Sequence, residues 1–115
     1  MSKRGSSEFL KDIVEAIERI ENYTKELDYE KFLQDTKTQD AVVRNIEIIG
    51  EAVKNLSKDL RERHKEVDWK DIAGIRDKII HFYFGIKWEI VWDVIANEIS
   101  LLKQKILKIL NEMKK

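Results

Sequence analysis

Apolar residues recur along this chain at steps of three and four, the spacing of one buried face of an α-helix. Leu10, Ile13, Ile17, Ile20 and Leu27 mark that face, and Phe9, Ala16 and Tyr23 widen the stripe, so a first helix is predicted from about Ser7 to Leu27. Asp28 to Asp35 reads as a linker in which Tyr29-Glu30-Lys31-Phe32-Leu33 has room for one or two turns, a short extra helix over 29–34. Thr36 followed three residues later by Gln39 fits a capping box. After it, Val42, Ile46, Ile49, Val53, Leu56 and Leu60 alternate steps of four and three, which predicts one long second helix reaching about His64.

Asp68 suits the N-cap of a third helix, with Asp71 in the first turn matching the helix dipole. Ile72, Ile75, Ile79 and Phe82 form its apolar face, and Gly85 is expected to close it in the left-handed conformation. Trp88, Val91, Trp92, Ile95, Ile99, Leu102, Ile106, Ile109 and Met113 carry a long last helix. No strand-like alternation or repeat interrupts this pattern. The predicted fold is therefore all-α, an up-and-down four-helix bundle with short connections, in which residues 1–115 form one domain. Gly50 and Gly74 fall inside helices, where each costs about 1 kcal/mol against alanine, and close approach of a neighbouring helix is the expected reason for both.

Composition narrows the chemistry. At 115 residues the chain has enough material for one modest core. It has no cysteine, which excludes disulfides and thiolate metal sites, and its two histidines are not at zinc-pair spacing; no metal and no cofactor are expected. Lysine plus arginine number 22 and aspartate plus glutamate 22, so no global field draws in nucleic acid, and any RNA must be met at a local site. No apolar run approaches the ~20 residues that cross a bilayer. Residues 1–7 lack the apolar stretch of a secretory signal, so a soluble cytoplasmic protein is expected. Lys103, Lys105, Lys108, Lys114 and Lys115 read as a solvated face, with tracking along RNA as the other reading.

The segment Arg76-Asp77-Lys78-Ile79-Ile80-His81-Phe82-Tyr83 departs from this ordinary pattern. It sets a guanidinium, an imidazole and a phenol at Arg-x4-His-x-Tyr spacing among apolar neighbours. An imidazole exchanges protons near neutral pH. A guanidinium grips a phosphate through two parallel hydrogen bonds and stabilises the charge that builds as it reacts. Together they are able to cleave RNA without a metal, although the same residues also occur as packed or surface groups of a helix.

In an unbroken helix, Arg76 and Tyr83 lie on nearly the same side, while His81 is about 140° from Arg76. Two arrangements would restore a shared site. The helix loosens before Gly85, or two copies of the chain face each other. Cleavage by the RNA 2′-hydroxyl wants one group to remove a proton and another to supply one, and a two-fold pair delivers two histidines to one cleft. A homodimer around the third helix is therefore expected. Arg44, Glu47 and Glu51 share a face of the second helix; an ion-pair row is the first reading and lining of the cleft the second. His64, between Arg63 and Lys65, is expected to be capping or exposed.

The run from Val67 to Ile86, containing Ile72-Ala73-Gly74-Ile75 before Arg76-x4-His81-x-Tyr83, resembles the HepT-like branch of HEPN domains. So do Arg44-Asn45-Ile46-Glu47-Ile48-Ile49-Gly50-Glu51-Ala52 and Trp88-Glu89-Ile90-Val91-Trp92-Asp93, and the likeness covers nearly the whole chain after Ser7. The resemblance implies the toxin of a toxin–antitoxin pair, a metal-independent endoribonuclease that dimerises around this motif. Its partner would be a minimal (MNT-type) nucleotidyltransferase antitoxin that binds it and transfers AMP to the motif tyrosine. By that likeness Arg76 would bind the scissile phosphate, His81 would be the general acid/base, Asp77 would orient one of them or the substrate, and Tyr83 would accept AMP. Asparagine is also familiar where this chain has Asp77. The other reading is a non-catalytic helical partner and substrate of such a nucleotidyltransferase.

Overall fold

In the computed structural model, residues 4–81 and 85–114 are described, His81 through its backbone alone. The chain forms α1 (Ser6–Thr24), α2 (Tyr29–Gln34), α3 (Thr36–Lys54), α4 (Lys58–Arg63), α5 (Trp69–Ala73) and α6 (Ile75–Ile79). A short ladder of β1 (Ile80–His81) and β2 (Gly85–Ile86) follows, then α7 (Trp88–Asp93), a π-helical turn (Val94–Glu98) and α8 (Ile99–Met113). The architecture is the expected all-α bundle. α1 packs on α3 and α8, and α3 also packs on α5 and α6.

The apolar stripes are what close it. Leu10, Ile13, Ile17 and Ile20 of α1 meet Val42, Ile46, Ile49 and Val53 of α3 and Ile99, Ile106 and Ile109 of α8 in one continuous core. Phe32, fully buried on α2, lies 5.8 Å from the Trp88 ring and 5.2 Å from that of Trp92. The linker helix is thus pinned to α7 by aromatic contact, and burying one such ring stabilises by roughly 2–3 kcal/mol. On the rim, Glu21 accepts hydrogen bonds from Lys103 and from Ser100 Oγ, tying α1 to α8. Burial alone would raise the Glu21 carboxyl, but those two bonds and the lysine charge outweigh it and hold it below the usual carboxylate range.

Several helix boundaries differ from the sequence pattern, each for a local reason. Helix one ends at Thr24, whose Oγ1 turns back to donate to the Ile20 carbonyl at 2.8 Å. Thr36 does not cap α3; Asp35 does, accepting from the Thr38 amide at 3.0 Å and from its hydroxyl at 2.8 Å. The long second helix is broken at Asn55–Ser57, and Ser57 caps a separate α4 by accepting from the Leu60 amide at 3.1 Å. Apolar spacing carried across that break because Val53, Leu56 and Leu60 all remain buried. Asp68 caps α5 as expected, accepting from Asp71 N at 3.1 Å.

His64 is half-buried at the α4 C-cap, its carbonyl accepting from Trp69 Nε1 at 2.9 Å and its Nδ1 3.4 Å from a Glu66 carboxylate oxygen. The lysine face is only partly solvated: Lys103 is held by Glu21, and Lys105 Nζ donates to the Glu66 carbonyl at 2.9 Å. Lys108 and Lys114 are exposed, and Lys115 lies outside the described residues. Among the described residues no helix is long and apolar enough to cross a membrane.

The two helical glycines differ in their surroundings. A Cβ on Gly50 would sit 3.4 Å from the Ile72 carbonyl and 3.5 Å from Ile75 Cγ2, so α3 does make the close approach its glycine implies. Among the described residues Gly74 meets only carbonyls of its own preceding turn, with no neighbouring helix within 4 Å; it marks the junction of α5 and α6. Gly50→Leu should lower stability by roughly 1–3 kcal/mol through overpacking, while Gly50→Ala, an ordinary contact offset by helix propensity, should stay within about 1 kcal/mol. Urea denaturation of the two variants checks this.

Candidate active site

The third helix of the sequence pattern is two short helices and a turn. Gly74, at φ −93 and ψ 9, interrupts it between α5 and α6, and Ile80, at φ −106 and ψ 122, ends it in extended backbone. Ile80 pairs with Ile86 and His81 with Gly85 in an antiparallel ladder, and the Lys87 amide donates to the Ile79 carbonyl at 2.8 Å. Gly85 does take a left-handed conformation, φ +77, but in this ladder and not at a helix end. The expectation that the third helix runs to Gly85 is corrected: two half-buried isoleucines pair across the ladder and rest on the core, which a continuing helix would not allow.

This break changes the geometry of the motif. The helical-wheel angle separating Arg76 from His81 no longer applies, since His81 lies two residues past the helix end. The helical period used to place Tyr83 on the Arg76 side likewise stops at Ile79, and Tyr83 itself lies outside the described residues. Arg76 and Asp77 sit together on α6, both exposed. The His81 side chain and all of Tyr83 lie outside the described residues, as do Phe82 and Phe84.

Arg76 is held across the bundle. Its Nε donates to Glu47 Oε2 of α3 at 3.2 Å, with the arginine side chain 62% exposed and the glutamate 33%. Two residues on, Lys78 Nζ lies 3.9 Å from Glu98 in the π turn. Burial holds the Glu98 carboxyl above the usual range, with the Asp93 and Asp71 carboxylates adding to the rise and Lys78 opposing it. The short α6 is therefore tethered on one side to α3 and on the other to the last helix.

Arg76 stands at the edge of a groove of about 530 Å³ between α1, α3 and the start of α6, with Arg44, Glu47, Glu51 and Lys54 along α3 and Phe9 and Asp12 from α1. Arg44, Glu47 and Glu51 do not form the expected ion-pair row; all three line this groove. Among the described residues no ion pair joins those three; Glu47 pairs with Arg76, and Arg44 has no carboxylate partner. Phe9, Asp12 and Lys54 had no sequence signal beyond their place in helical stripes, and the Glu47–Arg76 pairing spans 29 residues with no local pattern to announce it. Among the described residues no group of three His, Cys, Asp or Glu is placed to hold a metal ion.

Chemically, the groove offers the Arg76 guanidinium, held by one bond to Glu47, on a surface where Arg44, Lys54 and Arg76 balance Asp12, Glu47 and Glu51. A guanidinium is the side chain whose fork matches two phosphate oxygens, and this one stands on an all-helical bundle of HEPN kind. A family model described as Ribonuclease HepT-like matches residues 13–109, and the chain belongs to that family. It is 47% identical over 107 residues to "Probable ribonuclease HepT" of Thermococcus cleftensis, covering 93% of this chain and 97% of that protein. It is 46% identical over 99 residues to "Putative RNase MJ0127" of Methanocaldococcus jannaschii, covering 86% and 82%. A second protein of that organism, "Putative RNase MJ0125", is 42% identical over 113 residues, covering 98% and 97%. No solved structure gives a significant match. The family supports a ribonuclease function.

Among the described residues nothing lies within 4 Å of where a Gly85 Cβ would be, so a side chain there meets backbone strain first. Gly85→Ala should cost roughly 1–2 kcal/mol, and Gly85→Asn should recover part of it because asparagine tolerates the left-handed region. Urea denaturation of both variants measures the difference.

Proposed function

We propose that this protein is the toxin of a HEPN/MNT toxin–antitoxin pair, acting as a metal-independent endoribonuclease through Arg76 and His81 at a homodimer interface. The observation that carries the reading is the exposed Arg76 guanidinium, fixed to α3 at the edge of a groove, in a chain of the HepT-like ribonuclease family. The break of the helix after Ile79 supports it as well, since it frees His81 from the helical angle that would turn it away from Arg76.

In this mechanism the Arg76 fork binds the non-bridging oxygens of the scissile phosphate and stabilises the charge of the five-coordinate transition state. The RNA 2′-oxygen attacks phosphorus as its proton passes to one imidazole. The bond to the 5′-oxygen breaks as a second imidazole supplies that oxygen with a proton. The products are a 2′,3′-cyclic phosphate and a 5′-hydroxyl. One chain brings one His81, so the second imidazole comes from a second copy. Asp77, beside Arg76 on α6, orients the motif or the substrate. The Tyr83 phenol oxygen, losing its proton, takes AMP from ATP on a minimal nucleotidyltransferase as pyrophosphate leaves, and the added phosphate, drawn to the same guanidinium, blocks the cleft.

His81→Ala should reduce cleavage of a single-stranded RNA in chelator by about 10²-fold or more, with an unchanged thermal transition. Undiminished cutting would remove the mechanism. An inert wild type that still gains AMP on Tyr83, read by intact mass after co-expression with the nucleotidyltransferase, would favour the non-catalytic partner. Light scattering should give the mass of a dimer. A strict monomer that cuts RNA would defeat the shared-site account.

A further inference from the structure

Arg76 and Glu47 belong to different elements, and one hydrogen bond joins them, Nε to Oε2 at 3.2 Å. Of the five N–H donors of a guanidinium, that bond uses the single one on Nε. The other four are on the two terminal nitrogens, and among the described residues they take no side-chain partner. The glutamate is the more enclosed of the pair, at 33% against 62%, and it sits on a long helix with buried Ile46 and Ile49 beside it. Arg76 comes from a helix of only five residues. The carboxylate is thus the better-anchored end of the pair, and the guanidinium is the end it holds.

An exposed ion pair of this kind adds little to folding, because solvent screens it. Its consequence is orientation. An unheld arginine on a short exposed helix samples many rotamers, each of which phosphate binding would have to exclude. A carboxylate on Nε removes most of that freedom while leaving the terminal fork open, and that fork is the part matched to two phosphate oxygens.

We propose that Glu47 is the positioning residue of Arg76: it holds the guanidinium through Nε so that both terminal nitrogens are presented to the phosphate undergoing cleavage. This rests on the nuclease reading above and names a residue that reading leaves without a role. The opposite sign is physically available. A carboxylate able to compete with phosphate would act as a latch that keeps Arg76 occupied, and removing it would then speed the reaction.

Two measurements on the full chain decide it. In steady-state cleavage of a short single-stranded RNA, Glu47→Ala should lower kcat by roughly ten- to a hundredfold, since small misplacements of a group that acts in the transition state are costly. KM should move much less. Glu47→Gln, whose amide oxygen still accepts from Nε, should recover most of that loss, and all variants should keep the wild-type thermal transition. A rise in kcat in Glu47→Ala and Glu47→Gln would mean a latch and overturn the proposal, as would equal losses in the two. The second measurement needs no activity. The Arg76 Nε–H resonance of ¹⁵N-labelled protein, assigned by its disappearance in Arg76→Lys, should be protected from exchange in wild type and Glu47→Gln and unprotected in Glu47→Ala. Equal protection in all three would overturn the positioning contact. A protected resonance in a wild type that cuts no RNA would instead sink the nuclease reading alone.

Discussion

The bundle depends on how closely α3 approaches the segment that carries Arg76. At Gly50 the absence of a side chain lets the carbonyls of Ile72 and Ala73 come within van der Waals reach of where a Cβ would be. One turn earlier on the same helix, Glu47 reaches Arg76. The two contacts are mechanically coupled. Were α3 pushed away by a larger residue at position 50, a glutamate side chain would no longer span to α6. The glycine lowers the intrinsic stability of its helix, and the packing it permits places the site.

Charge plays a local role here and no global one. Acidic and basic residues balance over the whole chain, and the groove repeats that balance, with Arg44, Lys54 and Arg76 facing Asp12, Glu47 and Glu51. Such a surface exerts little long-range pull on a polyanion. Under the proposed function, selectivity for a phosphate comes from geometry at short range, where a held guanidinium differs most from a loose lysine.

The last helix shows how a small register change has a large effect. Its buried residues run Val91, Val94, Ile99, Ile106 and Ile109, and the step of five between Val94 and Ile99 is one residue too long for an α-helix. The π turn over Val94–Glu98 absorbs the extra residue, so that both sides of it face the core. It also sets Glu98 where Lys78 of α6 meets it, which makes the insertion part of the tethering of the site.

The helical fold was legible in the sequence because burying one face of a helix imposes a three-and-four period that no loop or strand shares. The helix ends were less so. Leu56 and Leu60 keep the period across the break before α4, and Ile95 offers a step of four to Ile99 that conceals the π turn. The motif Arg76-x4-His81-x-Tyr83 was legible as chemistry, since few residue types exchange protons or fork onto phosphate. Tertiary structure alone decided that the helix stops at Ile79, because that depends on Ile80 and Ile86 finding each other and the core. It alone joined Arg76 to Glu47, a contact made by two helices 29 residues apart and governed by their packing distance, which no local spacing encodes.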